Sequence, residues 1–300
     1  TDAVRGVTKE LSSNDTGAEE TVTEGLTTFG SAGFTVGSDG SYNTSSATYA
    51  GWQWLAGNGT ASNEDGSINT IATSVNTTAG ISISTYTGNA TSGATIGHGL
   101  GVAPDVIIVK NRDAADAWQV YHSGVASDPA TDYLVLNSIA PKVDNVNRWN
   151  DTAPTSSVFS LGNAVEVNTN TEDYVAYCFA EVEGFSKFGS YTGNGSTNGP
   201  FVWCGFKPAW VLIKRAVGGN ENWQLQDSTL HPYNVIDDAI YADSAAAEVT
   251  NNSAFYTDFL SNGFKVRASH AGRNASGGTY IYMAFAENPF GGEDVAPATA

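Results

Sequence analysis

The chain repeats itself. Tyr86-Thr87-Gly88-Asn89 returns as Tyr191-Thr192-Gly193-Asn194, and the residues after each copy run in parallel for about a hundred positions. Ala103–Lys110 answers to Lys207–Lys214, Trp118-Gln119 to Trp223-Gln224, and Tyr177–Glu181 to Met283–Glu287. A duplication of this length implies two copies of one folded unit, because a repeat buries its apolar face the same way each time it is written. Positions kept in both copies are expected to be scaffold; positions that differ are where a site can differ. A partial third copy stands at the front: Thr28–Val36 reads like Asp258–Val266, and Tyr49–Trp54 stands where Tyr280–Phe285 stands. The chain opens on Thr1 and not on Met, so residues 1–57 read as a divergent unit or as the closing half of one.

Within each copy, short β-branched and aromatic runs alternate with Gly, Asn, Asp and Ser turns, and no window keeps a helical period. Ile81 and Ile83 alternate with Ser82 and Ser84; Val106–Lys110 is a continuous apolar run suited to a central strand buried on both faces. Tyr133–Asn137, Ser157–Leu161, Val165–Asn168 and Tyr174–Ala180 read as further strands. In the second closing strand, Tyr280, Tyr282 and Ala284 share one face, and Ile281, Met283 and Phe285 the other. The fold expected is all-β: tandem antiparallel β-sandwich, jelly-roll-like domains, two full copies plus a partial or divergent N-terminal copy. The boundaries read as a partial unit at 1–57, a polar linker at 58–79, repeats at 80–184 and 185–290, and an acidic tail at 291–300 that frays.

Charge narrows the function classes. Thirteen Lys and Arg face 31 Asp and Glu, giving a net charge of -18. Nucleic-acid binding requires cations that displace phosphate counterions, so that class is set aside, and anionic membranes repel such a surface. No apolar run approaches the ~18 residues of a membrane helix. Two cysteines make no disulfide framework, so Cys178 and Cys204 read as buried thiols, with a bridge across the joint between units as the alternative.

Tyr-Thr-Gly-Asn, Gly97–Pro104 ahead of the apolar strand, and above all Tyr174–Tyr191 (Tyr-Val-Ala-Tyr-Cys-Phe-Ala-Glu-Val-Glu-Gly-Phe-Ser-Lys-Phe-Gly-Ser-Tyr) carry a resemblance. The segment 80–290, and more weakly the front, resembles a repeat domain of marine tailed-phage virion proteins. The resemblance implies an extracellular address on the virion surface, with copies of itself (a homotrimer), other virion proteins and a host cell-surface glycan as partners. It carries no enzyme chemistry that transfers residue by residue.

Candidate chemistry is sparse. Gly97-His98-Gly99-Leu100-Gly101 lacks the Lys and succeeding helix of a phosphate loop and reads as a turn. His98, His122, His231 and His270 have no partner at metal-ligand spacing, and no nucleophile elbow is written. Glu181 with Glu183, or Asp237 with Asp238, are the carboxylate pairs that glycan hydrolysis would use. Calcium is the ion that Asn63, Glu64 and Asp65, or Asp144, Asn145 and Asn147, would suit, although neither segment has an EF-hand spacing; no cofactor is expected. Trp149, in the polar segment Asn147–Asp151, reads as an indole able to stack on a sugar with Arg148 and Asn150 beside it; Tyr233 is the second unit's counterpart. The competing reading has Trp149 plugging the core beneath a loop. The function expected is a non-enzymatic tail-fibre or capsid-attached fibre component that spaces and adheres to host glycan. A polysaccharide depolymerase and a purely structural decoration or filament subunit are the alternatives.

Overall fold

The computed structural model describes residues 1–31, 33–57 and 59–287. The tail expected to fray at 291–300 lies outside the described residues. The architecture is all-β and of sandwich type, with antiparallel ladders throughout. Among the described residues no helix is long and apolar enough to cross a membrane.

Each copy builds a large sheet in one order. In the first, the closing strand Asp173–Phe179 lies between the opening strand Ile81–Thr87 and the central strand Val106–Asn111. Gln119–His122 and Asp132–Val135 extend the sheet outward. In the second, Thr279–Ala286 lies between Ser186–Thr192 and Pro208–Val217, with Gln224–Asp227 and Ile240–Tyr241 beyond. A small sheet covers one face of each: Ala94–Gly97 with Val158–Leu161, and Phe201–Trp203 with Gly263–Val266 and Thr257–Leu260. Val165–Asn168, expected as a strand, is instead a single helical turn, matched in the second copy by Ala271–Asn274.

That turn explains the repeated motif. Tyr86 Oη donates to Val167 O at 2.7 Å, and Tyr191 Oη to Arg273 O at 2.7 Å. The N–H of Asn89 donates to Asn168 Oδ1, and that of Asn194 to Asn274 Oδ1. The glycine between them must be glycine, since a Cβ on Gly88 would collide with Thr169 O, and one on Gly193 with Ala275 O. Tyr174 and Tyr280 close the other side, each accepting from the backbone just after the turn and donating to its first carbonyl. These tyrosines and asparagines all have partners, which is the condition for burying them at all.

Alternation along the closing strands splits the core as the sequence indicates. Tyr174, Ala176 and Cys178 face the small sheet of the first unit, and Tyr280, Tyr282 and Ala284 that of the second. The opposite faces, with Phe179, Ile281, Met283 and Phe285, meet in a shared third core. The two large sheets therefore stack on each other, and each unit buries its outer apolar face against its neighbour. Contact between apolar faces of this kind contributes about 25 cal/mol per Å² removed from water. Cys178 and Cys204 sit in different cores as free thiols, so the bridge is not made.

The polar stretch 58–79, expected as a linker, carries part of the fold. Ala72–Asn76 forms the edge strand of the first large sheet, paired to the opening strand, and Ile68, Thr70 and Thr73 are buried. Thr70, Thr73 and Ser84 hydroxyls chain together at 2.9 Å, which is how so polar a segment can be buried.

The front packs as a third member of the same arrangement. Leu26–Gly30 and Gly33–Val36 pair in the register of Thr257–Leu260 with Gly263–Val266, Phe29 opposite Phe34 as Phe259 is opposite Phe264. Contacts between units also recur in cyclic order. Trp223 Nε1 of the second unit donates to Val135 O of the first, and Trp118 Nε1 of the first to Ser12 O of the front. His122 of the first unit meets Tyr282 O of the second, and Asp227, at the place of His122, accepts from Trp52 of the front. Phe179, Phe285 and Trp54, three equivalent closing positions, converge, with Phe285 6.3 Å from Phe179 and 5.6 Å from Trp54.

Candidate functional site

The structure buries two of the four residues singled out for sugar contact. Trp149 is buried in the first unit's core, edge-on to Tyr121 at 6.2 Å, beneath the loop that carries it. Arg148 turns inward as well: its Nε donates to Gln119 Oε1, an Nη to Glu166, and its guanidinium lies 4.6 Å over the Tyr133 ring. Asn150 ends the turn in a left-handed conformation at φ 55° and accepts from Ser92. Arg148 and Trp149 are fold, because a short loop flanked by an apolar core gains more by burying an indole than by displaying it, while Asn150 stays half-exposed. Tyr233 alone is displayed, at 77% exposure, on a different unit. The calcium candidates are also turns: Asn63 Oδ1 accepts from Asp65 N, and Asn145 Oδ1 from Asn147 N.

The second unit forms a groove of about 630 Å³, of mixed polar and apolar lining, that includes Thr197, Val235, Asn252, Ser253, Tyr256, Arg267, Ser269 and His270. Its shape comes from local chemistry. Asn252 and His270 cap the turns Ser253–Phe255 and Ala271–Asn274 by accepting backbone N–H groups. Arg267, nearly half exposed, pairs with Asp258 across the hairpin. Below the groove, Arg273 is fully buried without a carboxylate, donating to Gln224, Gln226, Thr257 and Phe255 O; burial lowers its pKa to about 10. The His270 cap is specific to this copy, since the first unit has Ala164 at that place, which makes no side-chain cap.

In the same unit, His231 Nδ1 lies 2.8 Å from Asp237 Oδ1 and 3.4 Å from Asp238 Oδ2. The expectation that no histidine has a ligand partner is corrected here, because a loop brings position 231 back onto 237–238. The three ligand atoms lie within 4.8 Å of one another and are of the type that borderline divalent metals take. His231 Nδ1 accepts the Asp237 N–H at 3.5 Å, and Asp237 Oδ1 is buried without a hydrogen-bond partner.

The remaining reactive side chains are held by the fold. His122 accepts the Gly124 N–H at Nδ1 and faces Tyr282 O with Nε2, which fixes a neutral imidazole; burial depresses its pKa to about 4. His98 repeats this pattern with Leu100 N and Thr155 O, and burial lowers it too. Lys110 and Lys214 are buried against loop carbonyls, of Thr16, Asn111 and Ala114 in one case and of Ser138 and Glu221 in the other. Desolvation lowers both to about 8. Burial pushes the thiols of Cys178 and Cys204 up to about 12, away from nucleophilic use.

The chain belongs to a family described as a domain of unknown function (DUF7483), matched over residues 1–289. No curated protein and no solved structure matches it.

Proposed function

We propose that the chain is a non-enzymatic virion protein, a fibre-like module that spaces the particle from its host and contacts a cell-surface glycan. One observation carries the reading. The polar residues that the copies share are committed to scaffold hydrogen bonds, whereas the unshared polar groups of the second unit, with Tyr256, Arg267 and His270, line an open groove. Such a groove offers a ring for a sugar face with donors and acceptors for its hydroxyls, which suits a neutral polysaccharide. Single contacts of this type are weak, so several modules on one particle, in a homotrimer beside other virion proteins, gain through effective concentration.

The test is a glycan array with the purified protein, then calorimetry on any hit. Tyr256→Ala and Arg267→Ala should each weaken binding by roughly tenfold, the size of one lost stacking or charge-assisted contact. Absence of binding to any host polysaccharide, or binding unaltered by both substitutions, removes the groove as the adhesive site.

A further inference from the structure

The front of the chain carries the closing half of a unit in its finished conformation. Tyr49 Oη accepts from Thr44 N at 2.8 Å and donates to Gly40 O at 2.9 Å, the same pair of bonds, at the same spacing, that Tyr174 and Tyr280 make. Asn43 donates to Gly37 O as Asn168 donates to Gly162 O and Asn274 to Ala268 O. Among the described residues, nothing stands against this half-unit where an opening half stands in the other two units. Tyr174 stacks on Tyr86 at 5.2 Å and Tyr280 on Tyr191 at 5.0 Å, and both closing tyrosines are fully buried; Tyr49 is 49% exposed. Phe264 is fully buried against Tyr191, while its counterpart Phe34 is 41% exposed. Asn168 and Asn274 receive a backbone N–H from the Tyr-Thr-Gly-Asn turn, and Asn43 is exposed.

The segment equivalent to the closing strand has no strand paired to it among the described residues, although Leu55 O accepts from Asn76 Nδ2 at 3.0 Å. Its counterparts are paired on both sides. Among the described residues, 50–56 make no backbone–backbone hydrogen bond. An apolar cavity of about 480 Å³ runs alongside, lined by Trp52, Trp54, Leu55, Ala79, Trp210 and Phe285.

We propose that residues 49–55 are a docking edge for a partner chain that presents an extended Tyr-Thr-Gly-Asn strand, added to this edge as Ile81–Thr87 and Ser186–Thr192 are added to theirs. The chemistry names the occupant. Unpaired backbone asks for a strand, which no sugar or lipid provides. The open faces of Tyr49 and Phe34 ask for a tyrosine between them. The Thr44 position requires glycine opposite, since a Cβ on either equivalent glycine would collide with the facing carbonyl. A second copy of this chain does not serve, because both of its own opening strands are already paired within their units.

A labelled peptide copy of residues 80–91 is the probe, read by fluorescence anisotropy against the whole protein. Saturable binding is expected. Peptides carrying Tyr86→Ala or Gly88→Val should bind at least tenfold more weakly, as should the protein with Tyr49→Ala, whose fold is checked by an unchanged thermal melt. Equal binding of a scrambled peptide, or no binding, overturns the proposal. So does sedimentation showing a self-dimer that Tyr49→Arg dissolves, which would make a second copy the occupant.

Discussion

Taken one by one, the polar side chains this protein buries include some that both copies keep, such as Asn168 and Asn274, and some that only one copy has, such as His122 and Arg273. His122 titrates near 4 when folded against an ordinary 6.5. A proton on Nδ1 would abolish the Gly124 bond, and the unfolded chain takes it up first as pH falls. Stability should therefore be lost between pH 6.5 and 4, by on the order of 3 kcal/mol from this group. Thermal melts across that range check it. His122→Gln, which keeps an acceptor and a donor without titrating, should flatten the acid limb; an unchanged limb would mean that other groups set it. Gly88 supplies a second test of a single position. Gly88→Val should cost about 3 kcal/mol or more in denaturant titrations, because the side chain meets a carbonyl. Gly101→Ala, whose Cβ meets nothing within 4 Å although φ is +78°, should cost only ~1 kcal/mol of backbone strain.

Among the strands and turns, much of the pattern is legible in the sequence, and the exceptions have physical causes. Ile81–Thr87 and Val106–Asn111 appear where β-branched alternation and the apolar run place them. Val165–Asn168 is as β-branched as a strand, yet it folds as a turn of helix. There Asn168 gains three partners and Tyr174 finds a carbonyl, a tertiary gain that overrides a propensity worth at most ~1 kcal/mol. Ala72–Asn76 is hidden for the opposite reason. A Thr- and Ser-rich strand looks like a linker until its hydroxyls are seen to satisfy one another. Of the residues singled out for sugar contact, Tyr233 is exposed but does not line the groove. Trp149 sits in a polar string, and its burial depends on a core assembled from distant strands; His231 meets Asp237 only through a loop closure that spacing does not reveal.

Across the molecule, the shared core between the large sheets ties the units into one cooperative body. Phe285 touches Phe179, Phe188, Trp54 and Trp210, residues of three units. Phe285→Ala should lower stability by roughly 3–5 kcal/mol and shift one single calorimetric transition. Two transitions, of which one stays at its native temperature, would show that the units fold independently.

Residue order alone dictates that the structure is β, that two units share one plan, and which side chains alternate between faces, because strand period and turn chemistry are local properties. Folding in three dimensions is what stacks the sheets on a common core, points the conspicuous tryptophan inward, and leaves the front half-unit with no opening strand paired to it among the described residues. Those outcomes turn on which apolar faces meet and which backbone groups find partners, and both are settled by residues far apart in the chain.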